Sequence, residues 1–226
     1  MNNNSSIQLA NNHVDAVSEA LERYGVMVRF VKSIMQQDVD YGVIPGTQKP
    51  TLLKAGAEKL CSLFHLTQRL QLIKSVEDFT GSEHNNEPFF YYHYRAQLWK
   101  GNELVAEGDG SCNSWERKYR YREAKRTCPR CQQPTIRSSD KEFYCWSKQG
   151  GCGAKFALNF EAIASQKIGL VPNTEIFDQV NTLQKMAQKR AFVGAVLIAC
   201  NASEFFSQDL DDIAERVTPV TAEILF

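Results

Sequence analysis

Four cysteines constrain this chain more than any other feature. Cys128-Pro129-Arg130-Cys131 is followed, after thirteen further residues, by Cys145 and then by Cys152. A Cys-x-x-Cys knuckle sets two thiolates about one metal, and a second pair about a dozen residues on closes a tetrahedral site. Six residues part Cys145 from Cys152 where a second knuckle would have two, and Gly150-Gly151-Cys152-Gly153 supplies the backbone freedom the last ligand needs. The expected occupant is zinc. Four thiolates leave no open coordination position, so its role is structural rather than catalytic. A module of about 25 to 30 residues buries too little to fold alone, and a metal provides the missing folding energy. Seven cysteines, an odd number and clustered, fit metal in a reducing compartment better than disulfides. Cys61, Cys112 and Cys200 lie in apolar or strand settings and read as small buried residues.

The stretch just before the knuckle, Trp115 to Arg126, reads WERKYRYREAKR. Six of its twelve residues are Lys or Arg, with Trp115, Tyr119 and Tyr121 between them. Cations neutralise phosphates and release counterions while aromatic faces accept stacked bases, which suits a flexible single strand better than a duplex. The plain alternative is a solvated basic helix or strand edge whose aromatics pack downward. The chain as a whole is neutral, with 26 basic and 26 acidic residues. From Trp115 to Phe160, however, eleven Lys and Arg face four Asp and Glu, whereas Asn201 to Phe226 holds six acids and only Arg216. The module between the cysteines is itself basic, through Arg130, Arg137, Lys141, Lys148 and Lys155.

The periodicity predicts an α+β fold. Residues 1–12 are polar and low in complexity, and are expected to be disordered. Val14, Val17, Leu21, Tyr24, Val28, Val31 and Met35 recur at helical spacing, predicting an N-terminal helix whose stripe faces a core or another helix. A Gly- and Pro-rich loop at Asp40–Gly46 follows, then a second helix with Thr51 as its expected cap and Lys54 and Lys59 on its polar flank. The loop reads as a structural turn, with a phosphate cradle as the lesser alternative. No G-x-x-x-x-G-K-[ST] occurs, so no nucleotide hydrolysis is inferred.

Leu70, Leu72 and Ile73 suggest a short strand, and Phe89–Trp99 and Leu104–Ser114 flank Lys100-Gly101-Asn102-Glu103 as an antiparallel hairpin. His93 reads as an ordinary strand residue. Phe177, Val180, Leu183, Met186, Val196 and Cys200 predict a long C-terminal helix, entered at Asn173 or Thr174 and ended near Asn201. The expected domains are a core of residues 13–127 plus 157–212, a zinc-ribbon insertion at 128–156, and flexible ends at 1–12 and 213–226.

In this order the parts look familiar: a helix ending Leu60, Cys61, Leu63, Phe64, the hairpin YYHYRAQLWKGNELVAEGDGSCNS, a basic segment, and the helix LQKMAQKRAFVGAVLIAC. The chain resembles the single-strand annealing proteins of the Rad-fifty-two type, phage and prophage relatives included, over roughly Thr51 to Asp209. The resemblance implies a β-β-β-α core packed on the long helix, assembly into rings or open filaments, and single-stranded DNA held in a basic groove without ATP. The family's Lys-Arg pair on the long helix matches Lys189 and Arg190, and Lys54 falls near another basic groove position. The four-cysteine insertion is absent from the best-known members, and the neutral overall charge departs from their basic character.

The leading expectation is therefore a non-enzymatic protein of homologous recombination and repair that binds single-stranded DNA and anneals complementary strands. Arg117, Lys118, Arg120, Arg122, Lys125, Arg126, Lys189 and Arg190 would contact phosphates, and Trp115, Tyr119 and Tyr121 would stack on bases or brace the groove. Homo-oligomerisation would multiply weak contacts, and an exonuclease or single-strand-binding protein is an expected partner. Two other readings stand beside it: a zinc-containing nucleic-acid-binding module of a replication or transposition complex, and a metal-dependent nuclease built on Asp109, Glu123 and Lys125. With neither a signal-peptide pattern nor an apolar run of the roughly 18 to 20 residues that cross a bilayer, the expected location is the cytoplasm, away from membranes.

Overall fold

The computed structural model describes residues 4–43 and 49–207, with side chains from Asp15 onward. It is a mixed α and β structure in which the chain divides into two compact units. Among the described residues, the first unit takes the chain up to Gln71, Arg95–Asp109 and the part from Lys189 on, and the second takes Leu72–Tyr94 and Gly110–Gln188.

The first helix, α1, spans Asn4–Ile34, so it starts within the segment expected to be disordered. Gly25 sits inside it without interrupting it. The expected apolar stripe is covered only toward its end: Met35 is buried, whereas Val17, Leu21 and Tyr24 are exposed. Strand β1, Tyr41–Gly42, pairs antiparallel with β2, Thr51–Leu52. Thr51 is thus a strand residue rather than a helix cap; it is buried, with its hydroxyl 3.2 Å from that of Ser207. The next helix, α2, runs Lys54–Phe64 from Leu53 without a side-chain cap, and ends where His65 turns left-handed at φ 56°. The Leu66 N–H then reaches back to the Cys61 carbonyl, which satisfies an otherwise orphaned acceptor.

Two charges on these elements secure each other. Asp40 is fully buried; its Oδ2 accepts from the Gln36 N–H at 2.8 Å and from Lys59 Nζ at 2.6 Å. Of the loop expected at Asp40–Gly46, the part from residue 44 onward lies outside the described residues.

Strands β3 (Thr67–Asp78), β4 (Phe89–Lys100) and β5 (Glu103–Asn113) form one sheet in that order, joined between the last two by the expected turn at Gly101 and Asn102. Alternation does the work in β4: Phe90, Tyr92, Ala96 and Leu98 are fully buried, one side of the pleat facing a core. His93 is a residue of this strand, half-buried. Strand β3 is the opposite case, an edge strand exposed along most of its length, Leu70, Leu72 and Ile73 included. The nuclease candidate Asp109, on β5, is held by Arg95 through paired hydrogen bonds of 2.7 and 3.0 Å.

The basic stretch folds into a single turn of helix, α3 (Arg117–Arg120), followed by a strand, β6 (Tyr121–Ala124). The four-cysteine module is a small antiparallel sheet of β7 (Ile136–Ser138), β8 (Glu142–Cys145) and β9 (Lys155–Ala157), with β8 in the middle. After the turn α4 (Glu161–Ala164), strand β10 (Gly169–Pro172) returns to pair antiparallel with β6, Val171 opposite Arg122. The last helix, α5, spans Val180–Ala199 and is divided between the two units. Asn173 serves its approach: its side chain accepts from the Glu175 N–H and donates to the Tyr119 carbonyl, both at 3.0 Å. Asn201, left-handed at φ 51°, follows its end.

The second unit's core is a cluster of Phe90, Tyr92, Cys112, Tyr119, Ile176, Leu183 and Ala187. In the first unit, Gly108 of β5 lies against the backbone of α5: a Cβ there would collide with the Ala195 nitrogen and stand 2.8 Å from the Ala191 oxygen. The final acidic residues and the Ile224-Leu225-Phe226 end lie outside the described residues. Among the described residues no helix is long and apolar enough to cross a membrane.

Candidate metal centre and basic surface

The sulfur atoms of Cys128, Cys131, Cys145 and Cys152 all lie within 4.8 Å of one another. Cys128 and Cys152 are 3.8 Å apart, and Cys131 and Cys145 are 3.6 Å apart. These distances are far beyond a disulfide's roughly 2.05 Å. They match a metal: four thiolates each about 2.3 Å from one zinc ion stand about 3.8 Å from each other. The group is thus compatible with a structural metal such as zinc.

Local structure explains the arrangement. Cys128 and Cys131 occupy a turn closed by the Gln132 N–H on the Cys128 carbonyl, Cys145 ends the central strand, and Cys152 follows a 3₁₀ turn through Gly150 at φ 85°. The Thr135 hydroxyl, 3.1 Å from Cys145 Sγ, is the first cause holding that thiol below its ordinary range, and the Cys152 N–H also donates to it. Burial pushes Cys128 up instead. Donors aimed at a sulfur favour its thiolate form, which is the form that binds metal. Among the described residues this is the group of three or more possible ligands that comes together, and the acidic candidates Asp109 and Glu123 are not part of it.

The basic stretch divides into paired and unpaired cations. Arg120 grips Glu87 with two hydrogen bonds, Nε to Oε1 at 2.9 Å and Nη2 to Oε2 at 2.6 Å. Its guanidinium also lies 4.9 Å from the centre of the Trp115 ring and 5.7 Å from that of Tyr121. Arg122 donates to Glu175 at 2.9 Å, and Lys118 stands 3.8 Å from Glu116. By contrast Arg117, Lys125 and Arg126 have no acidic partner among the described residues; the Arg126 guanidinium instead sits 4.8 Å above Phe143. A neutralised cation must surrender its carboxylate before it gains a phosphate, so the three unpaired ones are the stronger anion ligands.

The aromatics of the stretch are mostly committed to the fold. Tyr119 is a core residue, so the stacking role expected as one of its two options is closed by burial and bracing remains. Trp115 is half-buried and packs edge-on against Phe89 and His84. Tyr121 stays half-exposed beside Arg120. The residues expected on other elements are also accounted for. Lys54 is exposed in the first turn of α2, 3.2 Å from Glu58. Lys189 and Arg190 are half-buried on α5. These three belong to the first unit, the basic stretch and the cysteines to the second.

A loop meets the Trp115 cluster through His84. Asp78 Oδ1 accepts N–H bonds from Thr80, Gly81 and Ser82 at 2.7 to 3.2 Å, Oδ2 accepts from Glu83 at 3.0 Å, and His84 Nδ1 is 2.9 Å from Oδ2. His84 in turn stacks on Phe89 at 4.3 Å. These contacts, the His84 one foremost, hold the Asp78 carboxyl well below the usual carboxylate range. Its contribution is therefore present above the unfolded value of about 3.9 and lost as pH falls toward the lower folded value. In urea unfolding, Asp78→Ala is expected to lower the midpoint at about pH 6, with the gap to the parent narrowing below about pH 4. A gap that does not change with pH would remove the charge from this account.

Sequence reasoning did not anticipate Glu87 and Glu175, which lie 33 and 53 residues from the arginines they neutralise. No local pattern marks such partners. Thr135 was missed too, though its place between the cysteines was visible. The Arg137 guanidinium, 3.7 Å above Trp146, had its signal in the alternation of basic and aromatic residues within the module. Comparison of this chain with protein-family models, with curated proteins and with solved structures found no match.

Proposed function

We propose that this protein binds single-stranded DNA and anneals complementary strands without ATP, and that Cys128, Cys131, Cys145 and Cys152 hold a structural zinc ion. The resemblance stated above supplies the annealing activity. The observation that carries the reading to this chain is the set of cations left without acids, Arg117, Lys125 and Arg126, on a stretch whose other cations are braced by Glu87 and Glu175. Unpaired cations in series release counterions when a strand lies along them, and a neutralised backbone lets two strands approach. Tyr121 and Trp115 would support bases, and Arg120 and Arg122 would order the surface more than bind it. Lys54, Lys189 and Arg190 enter through the resemblance, as does assembly into rings or filaments. Base pairing itself then selects the product.

Mixing fluorophore- and quencher-labelled complementary oligonucleotides with purified protein, at low salt and without nucleotide, tests this. Pairing at least about tenfold faster than the spontaneous control is expected, about 1.4 kcal/mol off the barrier; an unchanged rate ends the proposal. The four-thiolate group favours one other reading, a zinc-containing nucleic-acid-binding module of a larger replication or transposition complex. A discrete monomer in light scattering that binds oligonucleotide but does not anneal would select it.

A further inference from the structure

We infer that the four-cysteine module is itself part of the DNA-binding surface: a cleft shared by the module and the basic stretch holds the sugar–phosphate backbone of the single strand. The inference rests on the reading above and says which residues take the backbone. The cleft has a volume of about 300 Å³, and Lys125, Arg126, Arg137, Glu123, Thr135 and Gln149 are among its lining residues. Three cations and one acid leave it with two net positive charges.

Its arginines are held in place by rings rather than by carboxylates. Arg126 lies 4.8 Å above Phe143 and Arg137 lies 3.7 Å above Trp146. Stacking fixes a planar guanidinium by its face and leaves its N–H edge to donate, so an arriving phosphate finds oriented donors that need not abandon an acid. Neither arginine, nor Lys125, has an acidic partner among the described residues. A backbone fits better than a free anion because the cations come from two separate segments along an open cleft.

The test is fluorescence anisotropy of a labelled oligothymidylate across a salt series, with the metal content of every variant measured. Against the parent, Lys125→Gln with Arg137→Gln is expected to weaken binding about tenfold at about 0.1 M salt and to reduce the log–log salt slope by about 1.4, about 0.7 for each lost phosphate contact. Lys141→Gln, which removes one charge from the module outside the cleft, is expected to change affinity less than about twofold. If the double variant matches the parent, or Lys141→Gln weakens binding as much, the cleft is not the site, and annealing is then judged separately by the strand-pairing assay with the parent. If the parent itself binds no oligothymidylate, both fall, and the failure is then that of the broader reading. Should the double variant lose metal, Lys125→Gln alone, which lies outside the module, reads the same outcome through a slope change of about 0.7.

Discussion

On the proposed zinc site, Cys131→Ser is expected to strip the metal from the protein and unfold the four-cysteine module. The sheet of β7, β8 and β9 has strands of three and four residues, and its buried side chains among these strands are Phe143 and Cys145. Such a sheet cannot offset its own conformational entropy. Metal binding in sites of this kind contributes about 10–16 kcal/mol at neutral pH, which is far more than the strands can replace. A serine hydroxyl keeps its proton at neutral pH and does not substitute for a thiolate. The readouts are metal per chain by elemental analysis, expected to fall from about one to near zero, and trypsin cleavage, expected to open at Arg130, Arg137, Lys141 and Lys148. A variant with full metal content and an unchanged digest would show that Cys131 is not a ligand. Metal affinity should also fall with acidity, since burial raises Cys128 and its proton must leave before the ion binds.

The second large effect is expected far from the cysteines. Gly108→Val should destabilise the protein by about 3 kcal/mol or more, read as a drop in the urea midpoint. The obstacle is backbone: Ala191 and Ala195 already bring α5 as near to β5 as side chains allow, and a new Cβ would meet the Ala195 nitrogen and the Ala191 oxygen. Neither can rotate away, so helix and strand must part. Against a total stability of about 5–15 kcal/mol, that loss leaves little margin. Gly101→Ala is the control. Nothing lies within 4 Å of a Cβ at Gly101, so only its positive φ of 60° resists substitution, at about 1 kcal/mol. Equal effects at the two glycines would mean that the close approach at Gly108 is not what limits packing.

Much of this molecule was legible in its local patterns. The hairpin declared itself through alternation and a Gly-Asn turn, the last helix through Leu183 and Val196, both buried, and the cysteine cluster through the spacing of its members. Each of these signals is carried by residues near one another in the chain. Elsewhere local reading went astray for the same reason. Thr51 looks like a helix cap until Tyr41–Gly42 arrives to pair with its strand, and the stripe on α1 looks like core until Val17 and Leu21 prove exposed. The pairing of β6 with β10 joins segments on either side of the four-cysteine module, so no short window contains it.

What the amino-acid order determined by itself is where chemistry is available: which thiolates can share an ion, where cations gather, and which segments alternate or turn as strands and helices do. Only the tertiary structure decided which of those cations remain available. Arg120 and Arg122 read the same in sequence as Arg117 and Lys125, yet carboxylates from distant loops neutralise the first two and leave the others unpaired. Charge is a property of a residue, but its compensation depends on what the fold sets within a few ångströms, because ionic attraction falls with distance and with exposure to water.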